Sequence, residues 1–313
     1  MWKCTVTLLT LGALSLAVPF ASAQLSPAVQ AVLPSTTQQI VSINYRRLAN
    51  IPVAQQLESR VLPPGMQGLS SMLQRGGLNP ATDINRLTFA TYKNGGAVEL
   101  LGVAEGNFGG LQLARFFHPT KQNPTPPQID GVSVYSDNGL QFFMPDPATL
   151  VFGAHDPITL AIQTEQGAPS LGQNEQMTNL VAGTQSSDVW SVLDASGAQA
   201  MVRGMIGAQA DKLAGKLIAQ RFNGARYTIS FQDQVQVNLE MMTSDALSAA
   251  ALATAIDADV AMRQKQETNP AAKAILQQVQ VDSAGNNAFL QISAPASSLA
   301  DLMNSDLMTA VLR

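Results

Sequence analysis

The chain has 313 residues, of which 46% are hydrophobic and 13% are charged, and its formal charge at pH 7 is −4. This charged fraction is about half the usual ~25%, and no cluster of basic residues exceeds the pair Arg46 and Arg47. Because nucleic acids and anionic lipid surfaces are bound through several cations on one face, both are disfavoured as partners.

The N-terminal segment has the organisation of a secretory signal peptide. Lys3 precedes an apolar stretch over residues 6–20, and Ala21-Ser22-Ala23 follows it. This order predicts a signal peptide over residues 1–23, cleaved between Ala23 and Gln24, and an exported chain that is periplasmic or secreted. The single cysteine, Cys4, lies inside this segment, so we expect no thiol chemistry in the mature chain. No later segment approaches 18 apolar residues, so no membrane span is expected after cleavage.

Residues 24–170 are predicted to form a first α+β repeat. Alternating apolar residues predict its strands, while capping residues and 3.6-residue periodicity predict its helices. In chain order, the predicted elements are a strand at 40–44, a helical region at 47–75, a hairpin at 87–92 and 97–103, a short helix at 110–117, strands at 132–135, 140–144 and 150–153, and a helix at 156–166.

Residues 171–313 are predicted to form a second α+β repeat. Its clearest feature is an antiparallel hairpin at 226–232 and 234–242, where apolar and polar residues alternate strictly around Asp233. The other predicted elements are a strand at 188–193, a helix at 198–218, a helix at 245–266 with Asp245 as N-cap, strands at 279–281 and 288–292, and a terminal helix from near Pro295.

The two halves share one element order, and equivalent strand positions lie 139 to 149 residues apart, as for 100 and 239 or 43 and 192. Insertions confined to connections are typical of divergence after duplication. The order resembles the ferredoxin-like split βαβ unit, and the chain is similar to uncharacterised exported bacterial proteins that carry this architecture twice. The resemblance implies an α+β fold of two tandem ferredoxin-like β-α-β-β-α-β(β) units, with antiparallel sheets, helices on one face and closing helices. It implies no activity.

The main candidate site is an open, polar sheet face in the second repeat. In a split βαβ unit the face opposite the helices is often uncovered, and strand alternation places seven hydrogen-bonding side chains there. These residues are Arg226, Thr228, Ser230, Gln232, Gln236, Asn238 and Glu240. Three interpretations stay open: a solvated surface, packing against the other half, and binding of a polar ligand or partner.

Motifs for catalysis, metals and cofactors are sparse. The two histidines, His118 and His155, have no second ligand at helical or turn spacing, and a metal site of His155, Asp156 and Asp146 is a minor alternative. The mature sequence contains neither Gly-x-Ser-x-Gly nor Ser-x-x-Lys, and the glycines of residues 102–110 match no phosphate-loop spacing. We therefore expect no metal and no cofactor.

The preferred hypothesis is an exported, non-catalytic envelope protein that acts by binding another protein or a small polar ligand. The alternative is an exported hydrolase whose site assembles from His155, Asp146 and Glu99, which are distant in the sequence. A weaker alternative is a self-assembling structural component of the envelope, which would pair through its edge strands.

Overall fold

The computed structural model describes residues 25–49, 51, 68–184, 186–206, 221–232 and 234–295. The predicted signal peptide, its cleavage site and the predicted terminal helix beyond Pro295 lie outside these residues. The described part is a mixed α+β structure built on one large antiparallel sheet, as the fold class predicts.

The strands in the described ranges are numbered in chain order. They are β1 (Thr37–Ile43), β2 (Ile84–Asn94), β3 (Ala97–Gly106), β4 (Gln128–Ile129), β5 (Val132–Ser133), β6 (Tyr135–Asp137), β7 (Leu140–Asp146), β8 (Thr149–Gly153), β9 (Val189–Leu193), β10 (Phe222–Phe231), β11 (Gln234–Thr243), β12 (Gln280–Ala284) and β13 (Asn287–Pro295).

The α-helices are numbered in the same way. They are α1 (Pro27–Val32), α2 (Tyr45–Leu48), α3 (Gly68–Arg75), α4 (Pro80–Asp83), α5 (His155–Glu165), α6 (Glu175–Ala182), α7 (Ala195–Ile206), α8 (Ala246–Gln266) and α9 (Pro270–Leu276). Short 3₁₀ helices lie at Leu113–Arg115 and Leu171–Gln173, and the first of them stands where a longer helix was predicted.

One sheet runs through both predicted repeats. Eleven strands pair antiparallel in the order β12-β13-β11-β10-β9-β1-β2-β3-β8-β7-β6, and β4 and β5 form a separate ribbon. The repeats meet where β1 pairs with β9, with Ile40 opposite Val192. The boundary predicted near residue 170 stays a prediction, since a continuous sheet does not mark it.

The tandem ferredoxin-like arrangement is not confirmed. A split βαβ unit keeps its two helix-connected strands parallel, with another strand between them. Here β1 and β2 are antiparallel neighbours, as are β9 and β10, although a helical segment connects each pair. Counted outward from the β1–β9 pair, the strand order is β1-β2-β3-β8-β7 on one side of the sheet and β9-β10-β11-β13-β12 on the other. In these orders β8 corresponds in position to β13.

Helices cover both faces of the sheet in the first half, where the predicted closing helix at 156–166 forms α5 on the second face. One core contains side chains of α3, α7, α8 and α9, and the other contains side chains of α1, α5 and α6. Alternate residues of a strand enter opposite cores: Phe89 lies in the first and Ala90 in the second. Strand β9 is buried along its whole length because it lies between the two layers.

Asp188 links the ends of three central strands through hydrogen bonds and an ion pair. Its side chain is 2% exposed, and its Oδ2 accepts the backbone N–H of Phe231 at 2.7 Å. Arg47 Nε lies 3.0 Å from Oδ1, an ion pair without the alignment of a hydrogen bond. The backbone carbonyl of Asp188 accepts the N–H of Asn44 at 2.8 Å. The ends of β1 and β10 are therefore fixed to the start of β9.

Candidate functional site: a groove on the open sheet face

The second half of the sheet has one apolar and one polar face. Along β10, β11 and β13, buried residues alternate with partly or fully exposed ones, and the buried set packs against α7 and α8. From the second layer of helices, α6 contacts β10. The polar side chains of β10 to β13 are therefore left facing outward.

A groove with a volume of about 570 Å³ lies on this polar face. Its floor is formed by side chains of β10, β11, β12 and β13, and Gly183 and Thr184, directly after α6, form one wall. We call it the β10–β13 groove. Its volume falls in the range of about 300–1,000 Å³ that is usual for sites of small ligands.

The first row of side chains across the groove carries its charges. Arg226 lies opposite Glu240, Glu240 opposite Phe289, and Phe289 opposite Asp282, so the four occupy neighbouring strands at one level. Arg226 Nε donates to Glu240 Oε2 at 2.6 Å. Asn287 Nδ2 donates to the other carboxylate oxygen, Oε1, at 2.7 Å. Both oxygens of Glu240 are thus held, which fixes the ion pair in one arrangement.

The guanidinium of Arg226 fits closely against Gly183. A Cβ atom at position 183 would lie 2.2 Å from Arg226 Nη1, so a side chain there would displace the guanidinium. The side chain of Arg226 is 25% exposed, and Glu240 is the one hydrogen-bond acceptor that it meets within the described ranges. Since a guanidinium has five N–H donors, Arg226 keeps donors for a bound molecule.

The second row is uncharged. Thr228 lies opposite Asn238, Asn238 opposite Gln291, and Gln291 opposite Gln280. Asn238 Nδ2 donates a long hydrogen bond of 3.4 Å to Thr228 Oγ1. The amides of Gln280 and Gln291 are exposed and make no hydrogen bond with any described residue. With strands about 4.8 Å apart, the row offers hydrogen-bonding groups over about 14 Å.

Comparison with known proteins gives a fold and no family. No family model and no curated protein matches the sequence. Crystal form I of TP0453, an exported Treponema protein of unknown function, matches 91% of this chain and 99% of its own, with 9% identity and a TM-score of 0.51. Crystal form III of the same protein gives 11% identity and a TM-score of 0.47, over 90% of this chain and 98% of its own. The chain shares the fold of TP0453. At this identity the likeness extends to the fold alone.

Four of the seven residues that the sequence predicted for the open face line the groove. They are Arg226, Thr228, Asn238 and Glu240, whereas Ser230, Gln232 and Gln236 lie nearer the β10–β11 turn and outside it. The sequence analysis did not name the groove residues of β12 and β13, which are Gln280, Asp282, Ala284, Phe289, Leu290 and Gln291. The alternation over residues 288–292 carried a signal for two of them, since Phe289 and Gln291 point away from the buried Ala288, Leu290 and Ile292.

Two residues of the alternative hydrolase site, His155 and Asp146, lie apart. His155 begins α5, where its Nδ1 lies 3.2 Å from Gln141 Oε1. Gln141 lies near the start of β7, whereas Asp146 is the last residue of this strand, about 16 Å farther along it. His155 and Asp146 are therefore near opposite ends of β7. In the described ranges, no group of three or more His, Cys, Asp or Glu residues could hold a metal ion.

Glu99 lies beside a buried tyrosine. It pairs in register with Tyr92, whose hydroxyl is buried and meets no hydrogen-bond partner among the described residues. Burial, followed by the charges of Glu99 and Asp156, raises the pKa of Tyr92 well above its usual range. The Tyr92 hydroxyl therefore stays neutral at physiological pH and is not an activated nucleophile.

None of the described helices is both long enough and apolar enough to cross a membrane.

Proposed function

We propose that the chain is an exported, non-catalytic binding protein of the bacterial envelope and that its ligand lies in the β10–β13 groove. The N-terminal pattern of Lys3, an apolar stretch and Ala21-Ser22-Ala23 supports export, with cleavage before Gln24. The shared outward strand order of the two halves supports an origin by duplication of one α+β unit.

One observation carries the proposal. The groove has the size of a ligand site, and its polar groups are held in place while hydrogen-bond donors remain free to contact a ligand. Glu240 is held by Arg226 and Asn287, while Arg226 retains donors. Preorganised groups of this kind lose little conformational freedom when a molecule binds. A solvated face needs hydrogen-bonding side chains, but it does not need them to line a groove of this volume.

A small polar ligand is favoured over a protein partner. The groove is concave and limited to four strands, whereas a stable protein interface buries about 800 Å² on each partner. A hydrolase is disfavoured by the separation of His155 from Asp146 along β7.

Native mass spectrometry of the protein purified gently from the envelope of its own host tests this proposal. The blocking variant is Asn238→Trp, which places an indole in the second row of the groove. The matched control is Gln236→Trp, an equally exposed position two residues away on the same strand and face but outside the groove. We expect a mass above that of the cleaved chain for wild type and for Gln236→Trp, and its loss for Asn238→Trp. A wild-type mass equal to that of the bare chain, or an excess retained by Asn238→Trp, would overturn the proposal.

A further inference from the structure

The charge of the groove limits the ligand to molecules without net negative charge. Arg226 is neutralised by Glu240 at 2.6 Å, which leaves Asp282 as an exposed acidic group at the β12 end. The groove therefore has a net charge of about −1, the opposite of what a phosphate or nucleotide site requires. The remaining donors of Arg226 are then suited to a neutral oxygen.

The second row matches a ligand that both donates and accepts hydrogen bonds. Each amide of Asn238, Gln291 and Gln280 carries two donor hydrogens and an acceptor oxygen, and Thr228 adds a hydroxyl with both roles. A hydroxyl group of a ligand also has both roles, so a chain of neighbouring hydroxyls pairs with this row in either direction.

Phe289 adds an apolar surface beside the charged groups of the first row and the amides of the second row. It is half-buried, lies between Glu240 and Asp282 in the first row, and borders Gln291 two residues along β13. A sugar ring presents C–H bonds on its faces and hydroxyls at its rim. Such a ring can cover the aromatic side chain while its hydroxyls reach the amide row.

We infer that the ligand is a short neutral oligosaccharide that lies across β10 to β13, with one ring on Phe289 and its hydroxyls on the amide row. This inference rests on the proposed function, since it names the ligand class of the same groove. The row of about 14 Å is longer than one sugar ring, so more than one sugar unit is engaged.

Calorimetric titration of the mature protein with defined sugars tests the inference. The probes are maltotriose, cellotriose and the trimer of N-acetylglucosamine, each with its monosaccharide, and trigalacturonic acid and tetraglycine serve as the charged and peptide controls. We expect at least one neutral trisaccharide to bind, more tightly than its monosaccharide and than either control. Loss of one or two hydrogen bonds in Gln291→Ala weakens this binding about three- to tenfold, and Phe289→Ala weakens it similarly. The matched variant Gln236→Ala leaves it unchanged.

The outcomes separate the inference from the proposed function. If no neutral trisaccharide binds while the native mass excess is present and is lost in Asn238→Trp, the groove binds another class of ligand and the inference is overturned. If a trisaccharide binds but Gln291→Ala and Phe289→Ala do not weaken it, the site lies elsewhere and the inference is overturned as well. If neither sugar binding nor a mass excess is found, both the inference and the proposed function fail.

Discussion

Replacing Asp188 by alanine removes the carboxylate that joins the central strands, and we expect a clear loss of stability. The N–H of Phe231, which donates to Asp188 Oδ2 at 2.7 Å, would lose a charged partner, at a cost of about 1.5–3 kcal/mol. The ion pair with Arg47 adds about 0.5 kcal/mol or less, because the arginine side chain is 52% exposed. The expected loss in the free energy of unfolding is therefore about 1.5–3.5 kcal/mol.

Thermal and urea unfolding followed by circular dichroism measure this loss. With an unfolding entropy of about 2.1 cal/mol/K per residue, the predicted mature chain of residues 24–313 loses about 2.5–6 °C in Tm. Asp188→Asn keeps an acceptor oxygen without its charge, so its loss is smaller than that of the alanine variant. The matched control is Asp282→Ala, an exposed carboxylate with no ion pair among the described residues, which changes stability by less than about 0.5 kcal/mol. A Tm for Asp188→Ala equal to that of wild type would refute the reasoning.

The remaining predictions concern two glycines and one tyrosine. A Cβ in Gly106→Ala would lie 1.9 Å from a backbone carbonyl oxygen, so we expect the free energy of unfolding in urea to fall by about 1–3 kcal/mol. The control is Gly109→Ala, whose Cβ meets nothing closer than 3.9 Å. Equal stabilities of the two variants would contradict the clash. Gly183→Ala displaces the guanidinium of the groove, so ligand affinity falls about tenfold while Tm stays near wild type; unchanged affinity would contradict this role. Burial raises the pKa of Tyr227 to about 12, against a nearby serine hydroxyl that lowers it. The unfolded chain loses this proton near pH 10 and the folded chain keeps it, so stability falls between pH 10 and 12, by up to about 1.4 kcal/mol per pH unit. In Tyr227→Phe this fall in stability is shallower. An equal slope of stability against pH in both proteins would contradict the assignment.

Local elements were the predictable part of this fold. The strict alternation over residues 226–242 predicted the hairpin that forms as β10 and β11. Asp245 was predicted as the N-cap of a helix reaching residue 266, and its Oδ1 accepts the N–H of Ser248 at 2.8 Å at the start of α8. In both places a pattern within a short window decides the structure, because hydrogen bonds and burial there are set by near neighbours in the sequence.

The strand order was not predictable in the same way. The order of strands and helices is compatible with a split βαβ unit and with the neighbouring antiparallel strands that form here, and the choice depends on pairing between distant segments. The contact of β1 with β9 joins residues about 150 positions apart, such as Ile43 and Val189. No local pattern in either strand specifies this partner.

The same distinction applies to the groove. Alternation identified the polar face of β10 and β11, because it depends on two adjacent strands. The limits of the groove depend on Gly183 and Thr184 after α6, and on the placement of β13 beside β11. These limits separate Asn238, which lines the groove, from Gln236, which does not.

The most direct test of the central claim, that the β10–β13 groove holds the ligand, is a crystal structure of the protein purified without denaturation from its host envelope. The account predicts ordered non-protein density in the groove, within hydrogen-bond distance of the Arg226 guanidinium and the Gln291 amide. Density at another place on the molecule, or a groove filled by the protein's own side chains, would contradict it.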